Sequence, residues 1–420
     1  MEGKQRIPDA LQSHAVSRRD FLRFCTAMSA ALALPAESEQ LIVHALESAD
    51  RLPVIWLHAQ ECTGDSESLL RSGDPDITDI LLDVVSLEYH DTVMVDSGLH
   101  AEEKMHAAME RYGGGYVLVV EGSIPTGENA HYCIVGGRTM EQILLEAAEG
   151  AAAIVCVGAC AAWGGWPSSR PNPTGAKGVS SIVQGKPIIN LTGCPHNGQV
   201  FAATIVHYLT FGRLPDTDSV GRPLFAHGKR IHDNCERRAH FDAGQFVEHW
   251  GDEGHRLGWC LYKMGCKGPQ AYYNCPTIRW NDGTSWPVMA GHGCIACASV
   301  NFWDDMTPFY KRLPDVNVIG VEDTIDRLGV GAMALTLGAI ALHAVGTSFW
   351  KRRRSVSEAA ASDSHQAADM LPPAYPNDVN AVPPVQSEPD AGNTAFSDVV
   401  DEEGPSQTAA DDSPRGEQES

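Results

Sequence analysis

At 420 residues, with 43% hydrophobic side chains, the chain is long enough for two or three domains with real cores. Its formal charge of −23, from 54 acidic and 31 basic residues with no basic groove, excludes a nucleic-acid-binding protein. The charge is uneven, because fourteen Asp and Glu against one Arg in the last 66 residues account for −13 of it.

The first element in chain order is Ser17-Arg18-Arg19-Asp20-Phe21-Leu22, followed by the apolar run 24–34. Paired arginines ahead of a modest apolar region are the pattern of a twin-arginine export signal, an address read by the translocase rather than an anchor. Residues 1–45 are assigned to it, with Val43-His44-Ala45 as a small-residue cleavage site, and Cys25 would leave with it. The plainer reading is an amphipathic helix that happens to start with two arginines. Export of folded protein suits a chain whose metal centres must be built before it crosses a membrane.

From about 53 to 215, short apolar runs alternate with helical patterns. Residues 53–57, 116–120, 151–158 and 187–191 read as buried strands, and 77–85, 102–112 and 140–150 as helices. This is the pattern of an α/β domain with a parallel sheet, whose ligands gather beyond the carboxyl ends of the strands. Cys62, Cys160 and Cys194 each follow one of these strands, so three distant residues converge on one sheet edge. Cys156, inside a strand, and Cys133 read as small buried hydrophobes instead.

From about 228 to 313 apolar periodicity fades, and Gly, Trp, Asn and Cys dominate, as in a small irregular domain built around inorganic cores. His232 stands three residues before Cys235, and Cys260 and Cys266 follow; Cys275, Cys294 and Cys297 form a third group. Nine of the twelve cysteines thus fall into three groups of three, each short of a fourth thiolate. Thiolates in fours hold iron–sulfur clusters, and the fourth ligand tunes cluster type and potential. A His/Cys₃ zinc site and, in an exported body, structural disulfides are the competing readings.

Residues 328–350 carry no Asp, Glu, Lys or Arg and span roughly 35 Å as a helix, enough for a bilayer core. Lys351-Arg352-Arg353-Arg354 then mark the cytoplasmic side. A buried helix of a soluble protein is the alternative. Gly329-Val330-Gly331 mimics a dinucleotide fingerprint but lacks a strand–turn–helix setting. His343 inside the span needs a partner in lipid, either a neighbouring helix or a haem-bearing one. Residues 355–420, acidic and holding eight of the 25 prolines, are expected to be disordered.

Several long motifs in order, Trp56-Leu57-His58-Ala59-Gln60-Glu61-Cys62-Thr63-Gly64, residues 170–178, 232–246 and 274–297, closely resemble the small subunit of membrane-bound [NiFe] hydrogenases. The resemblance covers roughly residues 17–350. It implies a flavodoxin-like domain (46–220) with a proximal cluster, then a cluster domain (221–320), one transmembrane helix and the tail. It implies H2 oxidation at a Ni–Fe site in a separate large subunit. Electrons would pass to a proximal cluster at Cys62, Cys160 and Cys194, and then to a medial one at Cys275, Cys294 and Cys297. They would leave through a distal [4Fe–4S] cluster at His232, Cys235, Cys260 and Cys266, for a membrane cytochrome b and quinone. Pro287 stands where a fourth medial cysteine would be, which favours [3Fe–4S]. Heterodimers are expected to assemble further into a homo-oligomer, with the globular body on the periplasmic face.

The chain departs from the family at Cys62-Thr63-Gly64-Asp65, where a second cysteine is usual in place of Asp65. A carboxylate can ligate iron as a harder donor. The expectation is a [4Fe–4S] cluster held by three Cys and Asp65; the competing outcome is [3Fe–4S] with Asp65 hydrogen-bonded nearby. The two extra cysteines of oxygen-tolerant relatives are replaced by Gly64 and Gly165, so that device is missing. Glu61 is a candidate proton-relay carboxylate or a plain loop residue. A membrane-tethered iron–sulfur carrier with no hydrogenase partner is the alternative function.

Overall fold

The computed structural model describes residues 7, 17–35, 37–72, 84–312, 316–318, 321–323 and 325–368. Five strands form the main sheet: β1 (Leu52–His58), β2 (Val85–His90), β3 (Tyr116–Glu121), β4 (Ala151–Val157) and β5 (Ile188–Leu191). They pair in parallel in the order β2-β1-β3-β4-β5. This is a doubly wound sheet whose strand order reverses beside β1, between β1 and β3.

Both faces are covered, so the inner strands are apolar up to their last residues, where β1 ends in His58 and β3 in Glu121. In β3, Val117 and Val119 point to one face and Leu118 and Val120 to the other. The second face is closed by α4 (Leu99–Tyr112) and α5 (Met140–Glu149) through Met105, Ile143 and Leu144. A capping box between Thr139 and Gln142 starts α5. The first face is closed by α7 (Gly198–Phe211), on which α1 (Arg18–Ala31) and α2 (Ser38–Ser48) pack through Phe24, Met28, Ile42 and Leu46. Arg18 and Arg19 stay exposed at the start of α1. The cleavage site expected at Ala45 lies inside α2.

Two short helices complete the sheet's upper edge, α3 (Gly64–Leu70) after β1 and α6 (Gly158–Trp163) after β4. The sequence pattern predicts four strands and a helix over 77–85. Val85 instead opens β2, and residues 77–83 lie outside the described residues. This edge strand is hard to read because Ser86, Leu87 and Glu88 are only half-buried, without the unbroken apolar run of the inner strands.

Residues 212–312 fold into loops and short helices, among them Ile231–Asn234, Tyr262–Met264 and Cys275–Ile278. A second unit begins at Leu328. Its helix α8 (Ile325–Ala368) is continuous through the expected span and past it. The segment Gly331–Ser355 is long and apolar enough to cross a membrane. The first part of the expected disordered tail is therefore helical, in keeping with Ala359-Ala360-Ala361 and their helix propensity. Residues 369–420 lie outside the described residues.

Candidate metal centres

His58 and Glu121 end β1 and β3 and stand opposite each other in the register, at the switch point. Glu121 is fully buried, and its carboxylate ties the sheet to the first turn of α3. Oε1 accepts from the backbone N–H groups of Asp65 and Ser66 at 3.0 and 3.2 Å. Oε2 accepts from Trp56 Nε1 at 3.1 Å and from the Ser66 hydroxyl at 2.6 Å. Burial, then the Asp65 charge, pushes this carboxyl up despite those donors.

His58 Nδ1 lies 3.3 Å from Glu61 Oε1, and Nε2 lies 3.5 Å from Asp91 Oδ1. Burial works against its charged form, but Glu61, Asp91 and Glu121 outweigh it, so the imidazole is held above its ordinary pKa. Glu61 Oε2 is buried with no hydrogen-bond partner among the described residues.

Cys62, Cys160 and Cys194 converge here from the ends of β1, β4 and β5, and Cys160 and Cys194 each feel the charge of Cys62 and of Asp65. Burial leads, and neighbouring charges add, in pushing both thiols up to about 12. Asp65 is itself buried. Its Oδ1 accepts from the backbone N–H of His196 at 2.5 Å and from His196 Nδ1 at 3.0 Å. Gly158, with φ of +78°, passes under the carboxylate, and a Cβ there would sit 2.7 Å from Asp65 Cγ and collide with Oδ2. Gly165 is equally tight, since a Cβ would sit 2.9 Å from Cys160 Cβ.

The second group, Cys275, Cys294 and Cys297, lines a cavity of about 180 Å³ with Pro287, Trp280, Trp286 and Cys194. Pro287 lines the same cavity as these three thiols. Burial pushes all three thiols up. The third group, His232, Cys235, Cys260 and Cys266, lines a pocket of its own. Burial, then Arg238, lowers the His232 pKa, which favours the neutral imidazole that a metal would require. The groups adjoin: Cys194 feels Cys297, and the Cys294 N–H donates to Cys266 Sγ at 3.2 Å.

All twelve cysteines are free thiols. Zinc with bonds of about 2.3 Å to sulfur would bring four thiolates within about 3.8 Å of one another. Among the described residues, no three His, Cys, Asp or Glu donors that include a cysteine lie mutually within 4.8 Å. The sulfurs stand too far apart for one ion and suit cores of several metals. Buried thiols raised this far shed their protons only against positive charge, which iron supplies. Backbone N–H groups already aim at sulfur, from Arg237 to Cys235 at 3.4 Å and from Ala296 to Cys294 at 3.3 Å. The residues therefore fit iron–sulfur clusters.

Sequence reasoning found the nine thiols, Asp65 and His232 but missed Glu121, His196 and Gly158. A charged residue closing the apolar run Tyr116–Glu121 at a strand's carboxyl end was the available signal for Glu121.

Comparison with known proteins fits this architecture. Residues 62–208 match the family model described as NADH ubiquinone oxidoreductase, 20 Kd subunit. Residues 227–310 match the model for the C-terminal part of the NiFe/NiFeSe hydrogenase small subunit. The chain is 47% identical over 343 residues to the quinone-reactive Ni/Fe-hydrogenase small chain of Wolinella succinogenes, covering 80% of this chain and 97% of that one. It is 46% identical to the uptake hydrogenase small subunit of Azotobacter vinelandii, covering 81% and 95% respectively. A solved [NiFeSe]-hydrogenase structure of Dm. baculatum superimposes with a TM-score of 0.59 at 38% identity, covering 63% of this chain and 100% of that one. The chain belongs to the [NiFe] hydrogenase small-subunit family.

Proposed function

We propose that this chain is the electron relay of a [NiFe] hydrogenase, set between a large subunit that oxidises H2 and an acceptor in the membrane. The observation that carries the reading is the row of three adjoining thiol groups, spaced too widely for single ions and linked through Cys194 with Cys297 and Cys266 with Cys294. When bound, the clusters supply one-electron redox chemistry at each stop.

The chain's own residues divide the work. Cys62, Cys160, Cys194 and Asp65 would hold a proximal [4Fe–4S] cluster. Cys275, Cys294 and Cys297 would hold a medial [3Fe–4S] cluster, since Pro287 offers that corner no donor. His232, Cys235, Cys260 and Cys266 would hold the distal [4Fe–4S] cluster, where neutral imidazole in place of thiolate favours a higher potential. Cys62 is the exposed residue of the nine, on a face the large subunit would cover. Glu61, beside it, has a buried oxygen without a hydrogen bond among the described residues and a bond to His58, an arrangement that suits a proton-relay carboxylate.

In this reading residues 1–45 serve the twin-arginine translocase. The body lies on the periplasmic face, α8 anchors it, the basic end of the span faces the cytoplasm, and a cytochrome b takes the electrons to quinone. Anaerobic purification tests the core of it. The protein should be brown, hold about 10–12 irons per chain on these cluster types, carry a nickel-containing partner and show H2-dependent dye reduction. Colourless protein with zinc in place of iron would overturn it, and brown protein without a nickel partner would favour the lone carrier.

A further inference from the structure

Asp65 Oδ1 and Oδ2 stand in different surroundings. Oδ1 takes two hydrogen bonds, both from His196: its backbone N–H at 2.5 Å and its Nδ1 at 3.0 Å. Oδ2 lies over the Cα of Gly158 and takes no hydrogen bond among the described residues. As an iron ligand the carboxylate would only accept, and His196 would then donate from Nδ1 in this bond. Nε2 is buried without a partner among the described residues, and the ring stands edge-on to Phe201 at 6.0 Å. His196 is fully buried, so no water competes for these bonds.

This arrangement divides the carboxylate. Both lone-pair directions of Oδ1 are occupied, whereas Oδ2, against Gly158, takes no hydrogen bond among the described residues. From this we infer that His196 is the positioning residue of Asp65: it pins Oδ1 and leaves Oδ2 as the one oxygen presented to the proximal iron. The inference rests on the reading of Asp65 as an iron ligand and extends it to how that ligand is held. A carboxylate turns about its Cβ–Cγ bond, and a hard donor among thiolates keeps its place only if something fixes that torsion. A cysteine needs no such clamp, because it has a single donor atom.

The test is a double-mutant cycle on the purified heterodimer, read by Mössbauer and EPR spectra of the proximal cluster and by iron content per chain. His196→Ala removes the imidazole donor while keeping the backbone one. Loss of a charge-assisted bond should weaken the hold on the fourth iron by about 10- to 100-fold, seen as a three-iron signal at the proximal site. His196→Asn, whose amide nitrogen can replace Nδ1, should restore the wild-type spectrum. In the Asp65→Cys background, His196→Ala should change nothing, because there is no carboxylate to clamp. The medial and distal signals report that each variant has folded.

The outcomes separate the clamp from the reading beneath it. Identical proximal spectra for wild type and Asp65→Cys would sink the ligand itself. Spectra that change in Asp65→Cys but not in His196→Ala would keep the ligand and overturn the clamp. Equal effects of His196→Ala in both backgrounds would also overturn it, showing that the ring acts on the pocket and not through Asp65. Variants that lose all three cluster signals would be replaced by His196→Gln, and if neither this variant nor His196→Asn retains the four-iron proximal signal, the clamp is overturned.

Discussion

Gly158 carries two demands at once, a φ of +78° and a surface with no Cβ beneath the Asp65 carboxylate. Alanine meets neither. The left-handed backbone alone costs roughly 1–2 kcal/mol in a residue with a Cβ. The methyl would also push Oδ2 out of its place. Gly158→Ala should therefore reduce or lose the proximal signal while the medial and distal signals persist, read by EPR and iron content. His227 makes a separate prediction through pH. It is buried against Tyr273, 4.4 Å between ring centres, and faces Thr192, Arg222 and Asp218. Burial, then the Arg222 charge, lowers its pKa to about 3 from 6.5. Since the folded value lies below the unfolded one, the neutral ring's contribution is complete above pH 6.5 and is lost as pH falls from there toward 3. Between about pH 7 and about pH 5.5 the folded state should lose about 1 kcal/mol through this group. His227→Asn, which keeps a donor for the Pro223 carbonyl, should flatten the thermal midpoint's dependence on pH by that amount. An unchanged slope would mean that the ring reaches water and protonates freely.

At the scale of elements, one carboxylate joins β3, β1 and α3. Glu121 accepts from Trp56, from Ser66 and from two backbone N–H groups that a helix start would otherwise leave unpaired. Glu121→Ala strands those donors in the interior, at a cost of about 1–3 kcal/mol for each one left unpaired. Glu121→Gln keeps one accepting oxygen and should lose less. Hydrogen exchange should quicken first at residues 64–70, and uniform quickening would show that the damage is global instead. This joint also marks the limit of what the sequence made legible. The inner strands and the helices Leu99–Tyr112 and Met140–Glu149 announced themselves by periodicity, because local burial writes local pattern. The thiol groups announced themselves because few other roles gather nine cysteines. Glu121 and Asp65 stand 56 residues apart, and His196 and Asp65 stand 131 apart. Their partnership exists only once the strand ends converge, so no local spacing could carry it. The half-buried edge strand Val85–His90 was lost for the opposite reason, a local pattern too weak to read.

For the whole molecule, the question is what α8 does in a chain whose body has its own core. Leu335, Leu342 and Trp350 are 77%, 75% and 74% exposed, along a segment of 25 residues from Gly331 to Ser355. That segment is about 37 Å long as a helix, against a hydrocarbon core of about 30 Å. So much apolar surface is untenable in water and favourable in lipid. The basic run Lys351–Arg354 closes the span, where long cationic side chains can reach headgroups. The residues from Leu328 onward form a unit separate from the body that holds the thiol groups. A stop codon at Leu328 should therefore release the heterodimer from the membrane pellet into the soluble fraction. Its three cluster signals and H2-dependent reduction of a soluble dye should be retained, because every proposed cluster ligand lies at or before Cys297. Reduction of membrane quinone should fall, since the body is no longer held at the bilayer. If the truncated protein still pelleted with membranes after an alkaline wash, the anchor would have to lie elsewhere in the chain. If its dye activity vanished while the clusters stayed, α8 would be required for the relay itself and not for its placement.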